Sequence, residues 1–324
     1  MTPCPAFTLT NLHHCADSLL STHPDPVVKY LLTRDVLRRD PSSPEMRQLK
    51  AAAHTSRWVK QLEDSQLPDG SWGRFHSQDT KVKTVFRTTE QAIQRALALG
   101  LEPGDPILQR VREYILQALA GSLTITDPPE KNERWDVLIP LVLAGSLARL
   151  DPHHPVLDSH HRLCLEICRQ SFVSGSYRLD DEAAAYPQLC SIQAPGGFLE
   201  SQYMLWILST RPLPTGLERL LVEWIWNKPD GIRYQRQLLA QPPGRHVGYW
   251  LRSQKTLALF PAWREIAAGV LNGLWESRNG QAMWDFQRER LQSVEFPLSE
   301  SWRSPGKRAV DVSTHVLGLL RMGL

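Results

Sequence analysis

Five cysteines in 324 residues form no Cys-x-x-Cys pair. The odd set Cys4, Cys15, Cys164, Cys168 and Cys190 reads as reduced thiols rather than a disulfide framework. A dominant charge is missing as well. The formal net charge is +3, from 37 basic and 34 acidic residues, a scattered surplus too small to bring the chain to nucleic acid or an anionic membrane. No uninterrupted apolar run approaches the roughly 18 residues of a membrane span, and Met1 to Cys15 has no basic segment followed by an apolar core, so a cytoplasmic protein is expected. P-loop and G-x-G-x-x-G patterns are absent, which leaves nucleotide-dependent phosphoryl and hydride chemistry without support. No Ser/Gly-rich stretch or charge block marks a linker, and a single domain over residues 1–324 is the simplest organisation.

Strand alternation is scarce too, whereas helical signals recur along the whole chain. Val27, Val28, Leu31, Leu32 and Val36 share one face behind Pro24 and Pro26. Thr88 followed by Gln91 is a capping-box pattern for a helix that stops at Gly100. Asp105-Pro106 supplies an N-cap and an N1 proline for the stripe Ile107, Leu108, Val111, Ile115 and Leu119, which Gly121 closes. Further helices are expected around 136–150, 155–172, 198–210, 215–227, 247–260, 262–276 and 308–323. The chain is therefore all-α, some ten helices joined by Pro/Gly corners.

The corner Gln66-Leu67-Pro68-Asp69-Gly70-Ser71-Trp72 is the most specific segment. Pro68 presets its φ, Asp69 can bond backbone just ahead of it, Gly70 permits a positive φ, and Gln66 and Trp72 add an amide and a large ring. Together with Leu62 it resembles the Gln/Trp repeat of the terpenoid cyclase and prenyltransferase α-toroids. Pro229-Asp230-Gly231-Ile232-Arg233-Tyr234 echoes it, and Asn279-Gly280 followed by Trp284 echoes it more weakly. The resemblance implies an α/α toroid of helical hairpins around an apolar central cavity. In that family the repeat joins helices and does no chemistry.

Each activity of such toroids needs its own residues. The family's Asp-x-Asp-Asp acid motif is absent, and the nearest acidic cluster is Asp180-Asp181-Glu182. A magnesium-binding Asp-Asp-x-x-Asp/Glu begins at Asp180 but meets Ala184 where it should close. Asp136, Asp180 and Asp181 are the candidate proton donors, although an acid at a helix N-terminus is the preferred reading of each. Trp135, Tyr186, Trp206 and Trp250 are the candidate cation-shielding rings, with Arg245, His246 and Tyr249 as polar groups near Trp250. Eight of the eleven tryptophans lie beyond residue 200, and for Trp224 and Trp263, on periodic apolar faces, core packing is the better reading. Asp311 and His315 stand at i, i+4 without a third metal ligand, and His160, Cys164 and Cys168 fall on a buried face, so no metal and no cofactor is expected.

Three functional readings follow. The resemblance implies a protein that holds an isoprenoid or another apolar small molecule in its cavity and cyclises it by acid and carbocation chemistry. The failed motif searches favour a catalytically silent toroid that binds a lipid, a peptide or a protein partner. An α/α-barrel glycan-processing enzyme is the third, and a polar rather than an oily site would distinguish it.

Overall fold

The computed structural model describes residues 6–77, 84–128, 135–244 and 246–324. All regular structure among them is helical. In chain order the helices are α1 Leu9–Ser21, α2 Pro26–Leu31, α3 Pro44–His54, α4 Arg57–Ser65, α5 Thr89–Ala98, α6 Pro106–Leu119, α7 Trp135–Leu150, α8 Leu157–Ser171, α9 Leu179–Cys190, α10 Gln202–Leu208, α11 Thr215–Asn227, α12 Val247–Leu257, α13 Trp263–Glu276 and α14 Pro305–Met322. A π-helical turn, Leu32–Val36, extends α2, and a 3-10 turn spans Arg288–Leu291. No described helix is long and apolar enough to cross a membrane.

Local chemistry explains where these helices begin. Thr88 Oγ1 accepts from the Gln91 amide at 3.2 Å ahead of α5, and Pro106 opens α6 behind Asp105. Gly100 and Gly121 take the positive φ that ends a helix. Three helices go beyond the sequence expectations. α1 is opened by a reciprocal cap, in which Thr8 Oγ1 accepts from the Asn11 amide and Asn11 Oδ1 from the Thr8 amide, both at 3.2 Å. α3 buries only Met46 and Ala53, too few for an apolar stripe. α9 carries Pro187 in its interior, a residue that normally argues against a helix.

The chain forms two compact units, passing between them after Asp64, Ile93, Leu101 and Arg236. The unit of Met1–Asp64, Gln94–Leu101 and Gln237–Leu324 is built on α14, which packs on α1, α2, the π turn, α12 and α13. In it Asp311 is wholly buried and accepts from the Leu298 and Ser299 amides at 2.7 and 2.8 Å and from Trp302 Nε1 at 2.6 Å. The unit of Ser65–Ile93 and Glu102–Arg236 is built on α7 and α10, flanked by α6 and α8, with α9 on α8. α7 is apolar on nearly every side and α10 is buried along its whole length, as befits central helices. Here too a carboxylate secures a loop. Glu182, wholly buried, accepts from the Phe198 and Leu199 amides at 2.8 and 3.0 Å and from Tyr177 Oη at 2.7 Å.

Candidate functional site

A polar cluster lies within the unit built on α7 and α10. It starts at the corner after α4, where Gln66 Nε2 donates to the carbonyls of Gly70 at 2.8 Å and Ile107 at 2.9 Å, joining the corner to α6. Gly70 is indispensable there: an added Cβ would fall 2.5 Å from the Arg110 carbonyl oxygen. The chain beyond the corner is held at three successive residues. The amides of Phe75, His76 and Ser77 all donate to the Asp127 carboxylate at 2.6 Å. The Glu90 amide donates to the Phe75 carbonyl at 3.1 Å, which sets His76 beside the first turn of α5.

Glu90 is the centre of the cluster. His76 Nδ1 lies 3.0 Å from Glu90 Oε2, and Tyr203 Oη donates to Glu90 Oε1 at 2.7 Å. Gln202 Nε2 donates to the same Oε1 at 2.9 Å. Gln235 Nε2 donates to Gln202 Oε1 at 3.0 Å. A carboxylate only accepts, so His76 Nδ1 carries the proton and the ring's basic atom is Nε2. Glu90 is nearly buried, whereas the His76 side chain is 16% accessible. Tyr203 and Gln202 reach Glu90 because Ser201 caps α10, its Oγ accepting from the Met204 amide at 3.3 Å, and because α10 lies tight against α7 at Gly145. The cluster can orient a histidine, offer a phenol and transfer a proton between oxygen or nitrogen atoms.

The residues singled out from sequence take other places. Asp136 and Asp180 sit in the first turns of α7 and α9 with exposed side chains, which is not the apolar enclosure that keeps a carboxylic acid protonated. Asp181, half-buried, faces Arg178 at 3.8 Å. Trp135 is half-buried at the start of α7. Tyr186 is buried and donates to Glu182 at 3.3 Å. Its pKa is raised by burial and by the neighbouring Glu182 charge. Trp206, on α10, adjoins the cluster, its ring 5.7 Å from that of Tyr203, edge to face. Trp250 is fully buried with Nε1 donating to the Gln241 carbonyl at 2.9 Å. His246 and Tyr249, with ring centroids 5.8 Å apart, belong with it to the other unit. Arg245 lies outside the described residues.

No group of three or more His, Cys, Asp or Glu among the described residues is arranged to hold a metal. Asp311 is committed to its loop. His315 has both nitrogens engaged, Nδ1 with Lys255 Nζ at 3.1 Å and Nε2 with the Glu295 carbonyl at 3.0 Å. Cys164 and Cys168 are buried, and burial pushes each thiol up to about 12, so they pack as neutral groups. Glu182, one residue beyond the predicted acids, is the carboxylate that α9 buries. Burial raises its pKa, against the lowering effect of its Tyr177 and backbone donors.

His76, Glu90, Gln202, Tyr203 and Gln235 carry no motif. Their contacts span up to 127 residues, and the one local sign is that His76 and Glu90 flank the corner and the capping box that the sequence makes conspicuous. No family model matches this chain, and no curated protein and no solved structure matches it.

Proposed function

We propose that the chain is an α-toroid-type protein that binds a polyhydroxylated small molecule at the His76–Glu90–Tyr203–Gln202 cluster and transfers a proton at His76 Nε2. The observation that carries this reading is the Glu90 carboxylate, which lies at hydrogen-bond distance from His76 Nδ1 while accepting from Tyr203 and Gln202. A carboxylate so placed orients an imidazole and raises its basicity, the arrangement of a general base. The phenol and the amides suit hydroxyl groups better than hydrocarbon. An imidazolium is far too weak an acid to protonate an alkene, so the cluster supports hydroxyl chemistry over the start of an isoprenoid cyclisation. The toroid architecture rests on the resemblance at Gln66–Trp72 together with the all-helical fold.

Native mass spectrometry and extraction of the protein purified from its own host test the reading. A bound polyol or saccharide, lost from the His76→Ala variant with helical content intact, is the expected result. An extracted isoprenoid would move the assignment to the ligand implied by the resemblance, and an empty protein would favour the silent toroid.

A further inference from the structure

Both corners of the unit built on α7 and α10 lead to the cluster. His76 lies shortly after Trp72, which ends the Gln66–Trp72 corner, and Gln235 directly follows the echo Pro229–Tyr234. The chain takes an unusual path to place Gln235. Tyr234 and Arg236, on either side of it, adopt φ of 66° and 51°, a left-handed conformation that residues with a Cβ avoid. Such outliers persist where the surrounding contacts impose them. Here the Arg233 amide donates to the Glu200 carbonyl at 2.9 Å, one residue ahead of the Ser201 cap of α10, and Arg233 Nη1 donates to the Gly197 carbonyl at 3.0 Å. The Gln235 amide donates to the Ile232 carbonyl at 3.0 Å. Tyr234 and Arg236 are left exposed, while the Gln235 side chain is buried against Gln202.

The bonds from there to the carboxylate all run one way. Gln235 Nε2 donates to Gln202 Oε1, and Gln202 Nε2 donates to Glu90 Oε1. A carboxylate only accepts, so the Gln202 amide has to present its N–H side to Glu90 and its carbonyl to Gln235. Gln202 is buried as well. A buried carbonyl deprived of its donor carries a desolvation cost, which a turn of the side chain away from Glu90 would relieve. We infer that Gln235 is a positioning residue of the cluster: through the Gln202 amide it keeps Glu90 Oε1 supplied with donors and Oε2 on His76 Nδ1, which leaves Nε2 as the basic atom of the ring. This inference rests on the reading of the cluster as a proton-transfer site, and it gives the left-handed segment around Gln235 a part in that site.

Nitrogen NMR of the histidine rings tests it, because a ring nitrogen resonates at different positions with and without its proton; His76→Gln assigns the signals. At a pH where the ring is neutral, wild-type His76 is expected in the Nδ1–H form. Gln235→Met keeps the length of the side chain without its donor. It should shift the His76 Nε2 resonance from the position of a bare nitrogen toward that of a protonated one, with the far-UV circular dichroism unchanged. Gln202→Met should give the same shift and the double variant no more than either alone, since the two amides act in series. Gln235→Asn, shorter by one methylene, replaces Gln235→Met if that variant does not fold. An unchanged His76 tautomer in the Gln235 variant overturns the inference and leaves the cluster reading intact, and a fall in unfolding temperature alongside it would make Gln235 a structural residue. Shifts that add in the double variant overturn the inference too, because Gln235 would then act by another route. A wild-type His76 with its proton on Nε2 overturns both.

Discussion

The Cβ that Gly145 lacks would stand 2.8 Å from both the Cα and the Cβ of Tyr203. The two central helices of the unit therefore meet backbone to backbone at this point, and Tyr203 Oη reaches Glu90 only from that approach. Gly145→Ala has to push α10 away, since the atoms it meets cannot turn aside. Overpacking of this kind costs about 1–3 kcal/mol, and urea unfolding should register it as a lower midpoint with an unchanged slope. Ligand binding at the cluster should weaken with it, because the phenol moves with its helix.

Asp127 and the His76 segment lead to a second expectation. The amides of His76 and Ser77 share Asp127 Oδ1, while that of Phe75 uses Oδ2. Asp127→Asn retains one acceptor and turns an NH2 group on a buried N–H, so at least one donor loses its partner. The loss of a charge-assisted bond costs about 1.5–3 kcal/mol. Amide exchange should accelerate at Phe75, His76 and Ser77, and exchange at the Leu298 and Ser299 amides, which Asp311 holds in the other unit, should stay as it is.

The helices were legible because burial imposes a period on them: the Ile107–Leu119 stripe and the helix expected around 262–276 appear as α6 and α13. Helices without a stripe were hidden, α3 for want of apolar residues and α9 behind its internal proline. The cluster was hidden for a different reason. Glu90 is an ordinary first-turn acid until α10, 112 residues later, brings Gln202 to it. The acidic run after Arg178 was visible as a run, but its buried member is Glu182, because a helical turn sends Asp180 to solvent and Glu182 inward.

The weaker corner echo is, in its backbone, the closer copy. The Leu67 amide donates to the Ser71 carbonyl and the Gly70 amide to the Leu67 carbonyl. Asn279 pairs with Met283, and Ala282 with Asn279, in the same way. The Trp72 amide then meets Thr89 Oγ1 at 2.9 Å and the Trp284 amide meets Ser313 Oγ at 3.0 Å. The residue equivalent to Gly70 is thus Ala282, at φ 58°, rather than Gly280. A left-handed alanine costs roughly 1–2 kcal/mol, part of which a glycine returns as unfolded-state entropy. Ala282→Gly should therefore raise stability by about 0.5–1 kcal/mol in thermal unfolding, whereas Gly70→Ala, blocked by Arg110 as well as by its φ, should lower it sharply.

His315 makes the stability of its unit depend on pH. Burial, with the Lys255 charge against it, lowers its pKa from 6.5 to about 3, although the Glu295 carbonyl and charge act in the other direction. Its folded pKa is therefore below its unfolded one. The stabilisation is fully present above pH 6.5 and is lost as pH falls from there toward 3, because over that window the unfolded chain binds a proton that the fold refuses. One proton corresponds to about 1.4 kcal/mol for each pH unit. His315→Gln removes that titration while its amide can still donate to the Glu295 carbonyl. The variant should be less stable at neutral pH and lose stability less steeply between about pH 6 and pH 4. Urea unfolding of both proteins across that range measures the slopes, and parallel slopes would mean that the ring takes up its proton inside the fold, with Lys255 or the Glu295 segment moving to admit it.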